Sequence, residues 1–367
     1  MGCTQEPVPA PIATTPSVSS KEFIEATQPI AELIKNPDDP QDEKINEALF
    51  GVVQAFEEIS KNPKLMKWVL EEIKAQNGEM NLVDLAAKNR HFSLTLEKGL
   101  EKVYQKNNLS KSGDSFLEST HKSMKYGKVN YGPNAYIPNA EIADFNQEPV
   151  ISVGTDIENI TGLDDLDELA DYDDDYIPGR IYHTNGTYQE VIVGEQTAMT
   201  TTQPIVVISP SNQDLTPVPV DAPQKANTNP LVTGYQINFP YDKSRRSEYR
   251  IVSIPLYFGG GHGANSSNGI GYNISKVHKN DIGKIFNNVN FTIPVNNINI
   301  AAGAWIVTFE YDWWASKKYI TVNGGPFSRT LACKMKYSDN WYQVMYTTVG
   351  TTQTSTSKGF ITIRWVN

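Results

Sequence analysis

The stretch Ala304-Trp-Ile-Val-Thr-Phe-Glu-Tyr-Asp-Trp313 alternates along its length: Trp305, Val307, Phe309, Tyr311 and Trp313 share one parity, and Thr308, Glu310 and Asp312 share the other. A period of two marks a half-buried β-strand, because successive strand side chains point to opposite faces. Runs of similar character occur at Tyr235 to Phe239, Tyr249 to Tyr257, Ile270 to Val277, Asn290 to Val295, Tyr319 to Val322, Ser328 to Tyr337, Trp341 to Thr348 and Phe360 to Val366. Together they predict an antiparallel, jelly-roll-like β-sandwich over residues 231–367. Within it, Asn323-Gly324-Gly325 reads as a hairpin turn, and the Ser/Thr-rich stretch Thr347 to Ser357 reads as a loop, or as the tongue of a membrane-inserting β-toxin.

Upstream of the sandwich, residues 209–230 contain five prolines and almost no large apolar side chains, the composition of a linker. Residues 128–208 read as a small β-rich unit. Its strands fall at Pro149 to Val153 and Pro204 to Ile208, and its hairpin spans Ile181 to Val193, where Asn185-Gly186 suits a type I′ turn. Tyr131 to Ala140 reads as irregular backbone. Before Gly127 the period changes to that of helices, predicting a bundle over 19–127. Ser19-Ser-Lys-Glu22 has the spelling of a capping box, and Ile45, Leu49, Val52, Val53, Phe56 and Ile59 form one apolar stripe. Asn62-Pro63 caps a further helix carrying Leu65, Val69 and Ile73 and ending at Asn77-Gly78. Phe92, Leu96, Leu100 and Val103 mark another helix, and Ser115 to Lys125 the last. The fold class expected is α+β and multidomain: a helical bundle, a small acidic β unit and a β-sandwich.

The net charge of −10 is unevenly placed. Residues 156–175 hold ten acids and no base, whereas residues 231–367 hold 14 bases and 6 acids. The acidic run competes with any polyanion for the basic part, which argues against nucleic acid as a partner. Attraction between unlike regions of two copies predicts self-association through a heterologous contact, in a ring or an open fibre. Folding of the acidic run back onto its own basic domain is the intramolecular alternative. No apolar stretch reaches the ~20 residues of a membrane-spanning helix. With only Cys3 and Cys333 there is no disulfide framework, and strand parity makes Cys333 a buried core thiol.

Gly2-Cys3 opens a Pro/Thr/Ser-rich stretch over residues 1–18 that lacks the apolar side chains needed to offset chain entropy. A cysteine after a small residue at the head of such a spacer resembles a mature bacterial lipoprotein, in which that cysteine is lipidated. The whole plan resembles the exported surface lipoproteins of Bacteroidota-type bacteria. The resemblance implies a secreted or surface-tethered protein anchored through Cys3, without implying an activity.

Glu310, Asp312 and Trp314 are expected on the outer face of one strand. Paired carboxylates beside an indole supply the acid, the nucleophile or base, and the stacking platform of a glycosidase or sugar-binding site. The Glu-x-Asp spelling resembles jelly-roll β-glucanases, although their third acid is missing. Asp171, Asp173 and Asp175 have the spacing of the first calcium ligands of an EF-hand, but Tyr176 and Tyr182 break the rest of that pattern, so a solvated acidic loop competes with a non-EF calcium loop. The glycine-rich stretch around His262 lacks the helix a phosphate loop requires, and the five histidines show no zinc spacing. The reading is a non-enzymatic surface protein for adhesion or self-assembly, with a carbohydrate-binding protein or glycoside hydrolase as the rival.

Overall fold

An amphipathic helix must bury its stripe against a second layer, and in this chain a sheet supplies that layer. The computed structural model describes residues 23–36, 39–155, 157, 176–211, 217–219, 230–237, 246–256, 270–278, 285–292, 303–310, 312–324, 327–336, 342–347, 351–356 and 359–365, with side chains beyond Ser211 described at 312–318 and 333–336. Cys3, the Ser19 to Glu22 capping box, the acidic residues Asp171, Asp173 and Asp175, and the stretch around His262 lie outside these residues.

The first part contains β1 (Ile24–Glu25), α1 (Ile30–Leu33), α2 (Pro40–Ser60), α3 (Pro63–Ala75), β2 (Glu79–Asn81), α4 (Leu82–Lys88), α5 (Arg90–Lys106), α6 (Phe116–Ser123), β3 (Lys125–Tyr126), β4 (Val129–Asn130), β5 (Gly132–Tyr136), β6 (Val150–Val153), β7 (Tyr176–Tyr182), β8 (Tyr188–Gly194), α7 (Glu195–Thr200) and β9 (Ile205–Ser211). Seven strands make one mixed sheet in the order β1-β8-β7-β6-β9-β5-β2, in which β6 and β9 run parallel.

The expected helices around the Ile45–Ile59 stripe, after Asn62, at Phe92–Val103 and after Ser115 are present. Asp39 accepts the amides of Gln41 and Asp42 at the start of α2, Asn62 accepts that of Leu65 for α3, and Ser115 accepts that of Glu118 for α6. After α3 the chain reverses through left-handed Asn77 (φ 57°) and Gly78 (φ 78°), as the Asn-Gly pair predicts. The α2 stripe is fully buried, as are Phe92, Leu96 and Leu100 of α5. These two helices meet so closely at Gly99 that a β-carbon there would stand 2.5 Å from the Ala55 carbonyl oxygen. Glu58 of α2 is paired with Lys61, Lys98 and Lys102. Burial pushes its carboxyl up, but hydrogen bonds from Lys102, Lys61 and Lys98 outweigh this and bring it down to about 2.

The expected boundary at 127/128 does not separate two cores. One cluster runs from Ile30 through the helices to Ala135, Ile151, Val153, Tyr182, Val206 and Ile208 of the sheet. A narrow stripe on each helix is satisfied as well by a sheet face as by other helices, and periodicity does not distinguish the two. Alternate residues of the same strands, Val150, Ile177, Val191, Val193, Ile205 and Val207, face the other way into a second cluster. Both faces of the sheet are therefore apolar, which explains the continuous run Ile205-Val-Val-Ile208.

Several local expectations are corrected. Residues 132–136, expected to be irregular, are strand β5, and residues 79–88 contain the unforeseen β2 and α4. Before the first helix, residues 24–25 are a strand. The β7–β8 turn is longer than type I′: the Gly186 amide donates to the His183 carbonyl at 2.9 Å and the His183 amide to that of Thr187 at 2.9 Å. Only Gly186 takes a positive φ (85°), since the Asn185 side chain is held by the Thr187 amide and hydroxyl.

The second part contains β10 (Pro217–Pro219), β11 (Pro230–Ile237), β12 (Arg246–Leu256), β13 (Ile270–His278), β14 (Ile285–Thr292), β15 (Gly303–Glu310), β16 (Lys317–Gly324), β17 (Phe327–Lys334), β18 (Tyr342–Thr347), β19 (Thr351–Thr356) and β20 (Gly359–Trp365). They pair as β14-β11-β20-β19, β13-β12-β15-β18 and β10-β16-β17. The chain is thus mixed helix and sheet. The expected linker is partly structured, since residues 209–211 extend β9 and 217–219 pair in parallel with Thr321 to Asn323. The stretch expected to be a loop or toxin tongue contains β19, paired with β20. β20, adjacent to β11 and β19, is an interior strand.

Candidate functional site

The strand that decides the C-terminal fold ends earlier than its alternation suggests. β15 stops at Glu310, and Asp312 to Ser316 form a turn closed by the Ala315 amide on the Asp312 carbonyl at 3.1 Å. Leaving the strand frees Trp313 and Trp314 from opposite parities. Both are fully buried, together with Ala315, against Val150, Ile177, Val191, Val193, Ile205 and Val207. An aromatic corner from the C-terminal part therefore caps the second face of the seven-stranded sheet.

This placement removes the expected sugar site. Trp314 has no exposed surface on which a sugar ring could stack, and Asp312, 8 % exposed, is held by the Lys336 amide on its carboxylate. Glu310 ends β15 opposite Tyr249. The three residues therefore do not share one exposed strand face, as the sequence pattern had placed them. The alternation continued through Asp312 and Trp313 because nothing in a period-two pattern marks where a strand stops. Cys333 is buried as parity predicts.

A polar margin surrounds the corner. Ser316 is 2.6 Å from the Ser209 hydroxyl and accepts from the Asn134 side chain at 3.2 Å. Glu79 accepts from that same Asn134 amide at 2.9 Å and from the Lys317 backbone amide at 3.1 Å, with the Lys317 ammonium at 3.4 Å. Lys336 pairs at 3.1 Å with Asp42, which also accepts from Asn36 at 2.8 Å. The contacts of Ser316, Lys317 and Lys336 with Ser209, Asn134, Glu79 and Asp42 join residues more than a hundred positions apart, so no local sequence signal announces them.

Lys334 follows the buried Cys333 and so has the opposite strand parity, yet its amino group turns inward. It donates to the carbonyls of Trp313 at 3.2 Å and Ala315 at 3.3 Å and lies 2.9 Å from the centre of the Tyr136 ring. Burial pulls its pKa well below the ordinary lysine value; Glu79 opposes this and Lys317 adds to it. The unfolded chain therefore holds the Lys334 proton more tightly than the folded one, so stability rises with pH from that lowered value up to about 10.4. In urea titrations the wild type should gain stability across this alkaline window relative to Lys334→Met. Parallel pH profiles would contradict the assignment.

The buried indole nitrogens of Trp313 and Trp314 have no hydrogen-bond partner among the described residues. Each unsatisfied buried donor costs roughly 1–3 kcal/mol. Chemically, the arrangement anchors one part of the chain on another, and its reactive groups are enclosed. Comparison with known protein families, curated proteins and solved structures found no match for this chain.

Proposed function

We propose that the chain is a non-enzymatic extracellular or cell-surface protein whose C-terminal strands, stacked as a sandwich, serve adhesion or self-assembly. In this reading the first part is a base, held away from the membrane by the spacer behind a lipidated Cys3. No helix among the described residues is long and apolar enough to cross a membrane, which is compatible with such an anchor.

The observation that carries the reading is strand β19. Among the described residues it pairs on one side only, with β20. Its sequence, Thr-Thr-Gln-Thr-Ser-Thr, contains no charge and no proline, the two devices that ordinarily protect a sheet edge from another chain. A strand that is polar on both faces also specifies its register weakly, which favours pairing with a second copy.

A Thr352→Lys/Thr354→Lys variant tests this. The wild type should sediment as an oligomer at micromolar concentration, and the variant should remain monomeric because facing lysines repel across a paired edge. A monomeric wild type, or a variant that associates equally well, would refute edge pairing.

A further inference from the structure

We propose that the Trp313–Trp314 corner also docks in trans, one copy placing its corner on the seven-stranded sheet of a second copy. The inference rests on the self-association reading and adds to it a second contact, of different chemistry from the β19 edge.

The junction has the anatomy of an association surface. Two fully buried indoles stand at its centre, and polar pairs stand around them: Ser316 with Ser209 and Asn134, Lys317 with Glu79, and Lys336 with Asp42. Aromatic anchors inside a polar margin are the arrangement that concentrates binding energy between separate proteins. The partners come from opposite parts of the chain, and the nearest described residues across the connection are Ser211 and Pro217. β10, at Pro217, already pairs with β16, so the unit that would exchange begins there.

The contact also holds polar groups away from water. Among the described residues neither indole N–H has an acceptor, and the Lys334 amine, held by the Trp313 and Ala315 carbonyls, is enclosed beside Tyr136. An apolar anchor with such groups at its heart suits a joint that can release better than a permanent core. Once released, a second copy offers the same surface, since every contact made within one chain can be remade between two. The choice is then set by concentration: the connection gives the intramolecular form an effective concentration on the order of millimolar, which crowded copies can match.

Equal amounts of light and nitrogen-15-labelled full-length protein, unfolded together in urea and refolded, would test the exchange. A zero-length carbodiimide then links Lys317 to Glu79, and mass spectrometry reads whether each linked peptide pair is uniform or mixed. At ~1 µM the pairs should be uniform, and at ~1 mM, where exchange competes, mixed pairs should rise to about a quarter, one half being the limit of complete exchange. Pairs that stay uniform at the higher concentration would overturn the proposal.

The same experiment in the Thr352→Lys/Thr354→Lys background separates the two contacts. Mixed pairs that persist there support exchange through the corner and stand whatever becomes of edge pairing. Mixed pairs that vanish with the β19 edge would show that the corner does not associate on its own.

Discussion

Trp313→Ala and Trp314→Ala should each lower stability by roughly 3–5 kcal/mol, the range for removing a large buried aromatic side chain. Both side chains lie at zero exposure against the valines and isoleucines of the second sheet face. Truncation leaves a cavity lined by branched residues whose strands are fixed by hydrogen bonds on either side, so the site can collapse only partly. Each substitution also deletes one indole N–H that has no acceptor among the described residues, which offsets part of the loss. The double variant should also bind a hydrophobic dye strongly, since the face of Val191, Val193 and Val207 then reaches water. Urea denaturation followed by circular dichroism checks the first effect. A change below ~1 kcal/mol for either substitution would mean that the corner is not an anchor.

Gly99→Ala should be the most damaging single methyl addition in the first part. The new β-carbon would sit 2.5 Å from the Ala55 carbonyl oxygen and 2.9 Å from both the Ala55 α- and β-carbons. These are backbone and near-backbone atoms, which no rotamer change can move aside. α2 and α5 must separate, loosening the fully buried contacts of Phe56, Leu96 and Leu100. Overpacking of this kind costs about 1–3 kcal/mol and occasionally more, whereas alanine's better helix propensity returns only about 1 kcal/mol. With backbone atoms in the way the cost falls at the upper end, and a net loss of about 1–2 kcal/mol in thermal or urea unfolding is expected. A neutral or stabilising result would place the helix contact elsewhere.

The helices of the first part were legible because their information is local. Asn62 caps where a cap was expected, the last helix begins after Ser115 as expected, and the stripe from Ile45 to Ile59 is buried. What the stripes pack against was not legible, since a helix face records that it is buried without recording by what. Likewise, β5 was hidden because Gly132-Pro133-Asn134 has poor strand propensity, and its pairing with β9 and β2 overrides that propensity. For β19, Ser/Thr composition suits strand and loop alike, and only the register with β20 decides.

The candidate site was legible in composition and misplaced in space. Trp313 and Trp314 stood out as aromatics, but the alternation was carried past Glu310 into a turn. Strand parity alone would set Lys334 opposite the buried Cys333, but a long flexible stem brings its amine back under the corner. The Ser209, Asn134 and Glu79 partners could not be found from sequence, because contacts across such separations follow from the fold as a whole.

The position of the corner also orders events during synthesis. The seven-stranded sheet needs no residue beyond Ser211, yet the side chains that cover its second face arrive at Trp313 and Trp314, about a hundred positions later. At ribosomal speeds of roughly 5–20 residues per second, the Val150, Val193 and Val207 face waits on the order of 5–20 s for its cover. A nascent chain paused in that interval presents a formed sheet with one bare apolar side, the form in which chaperones would be expected to meet this protein most often.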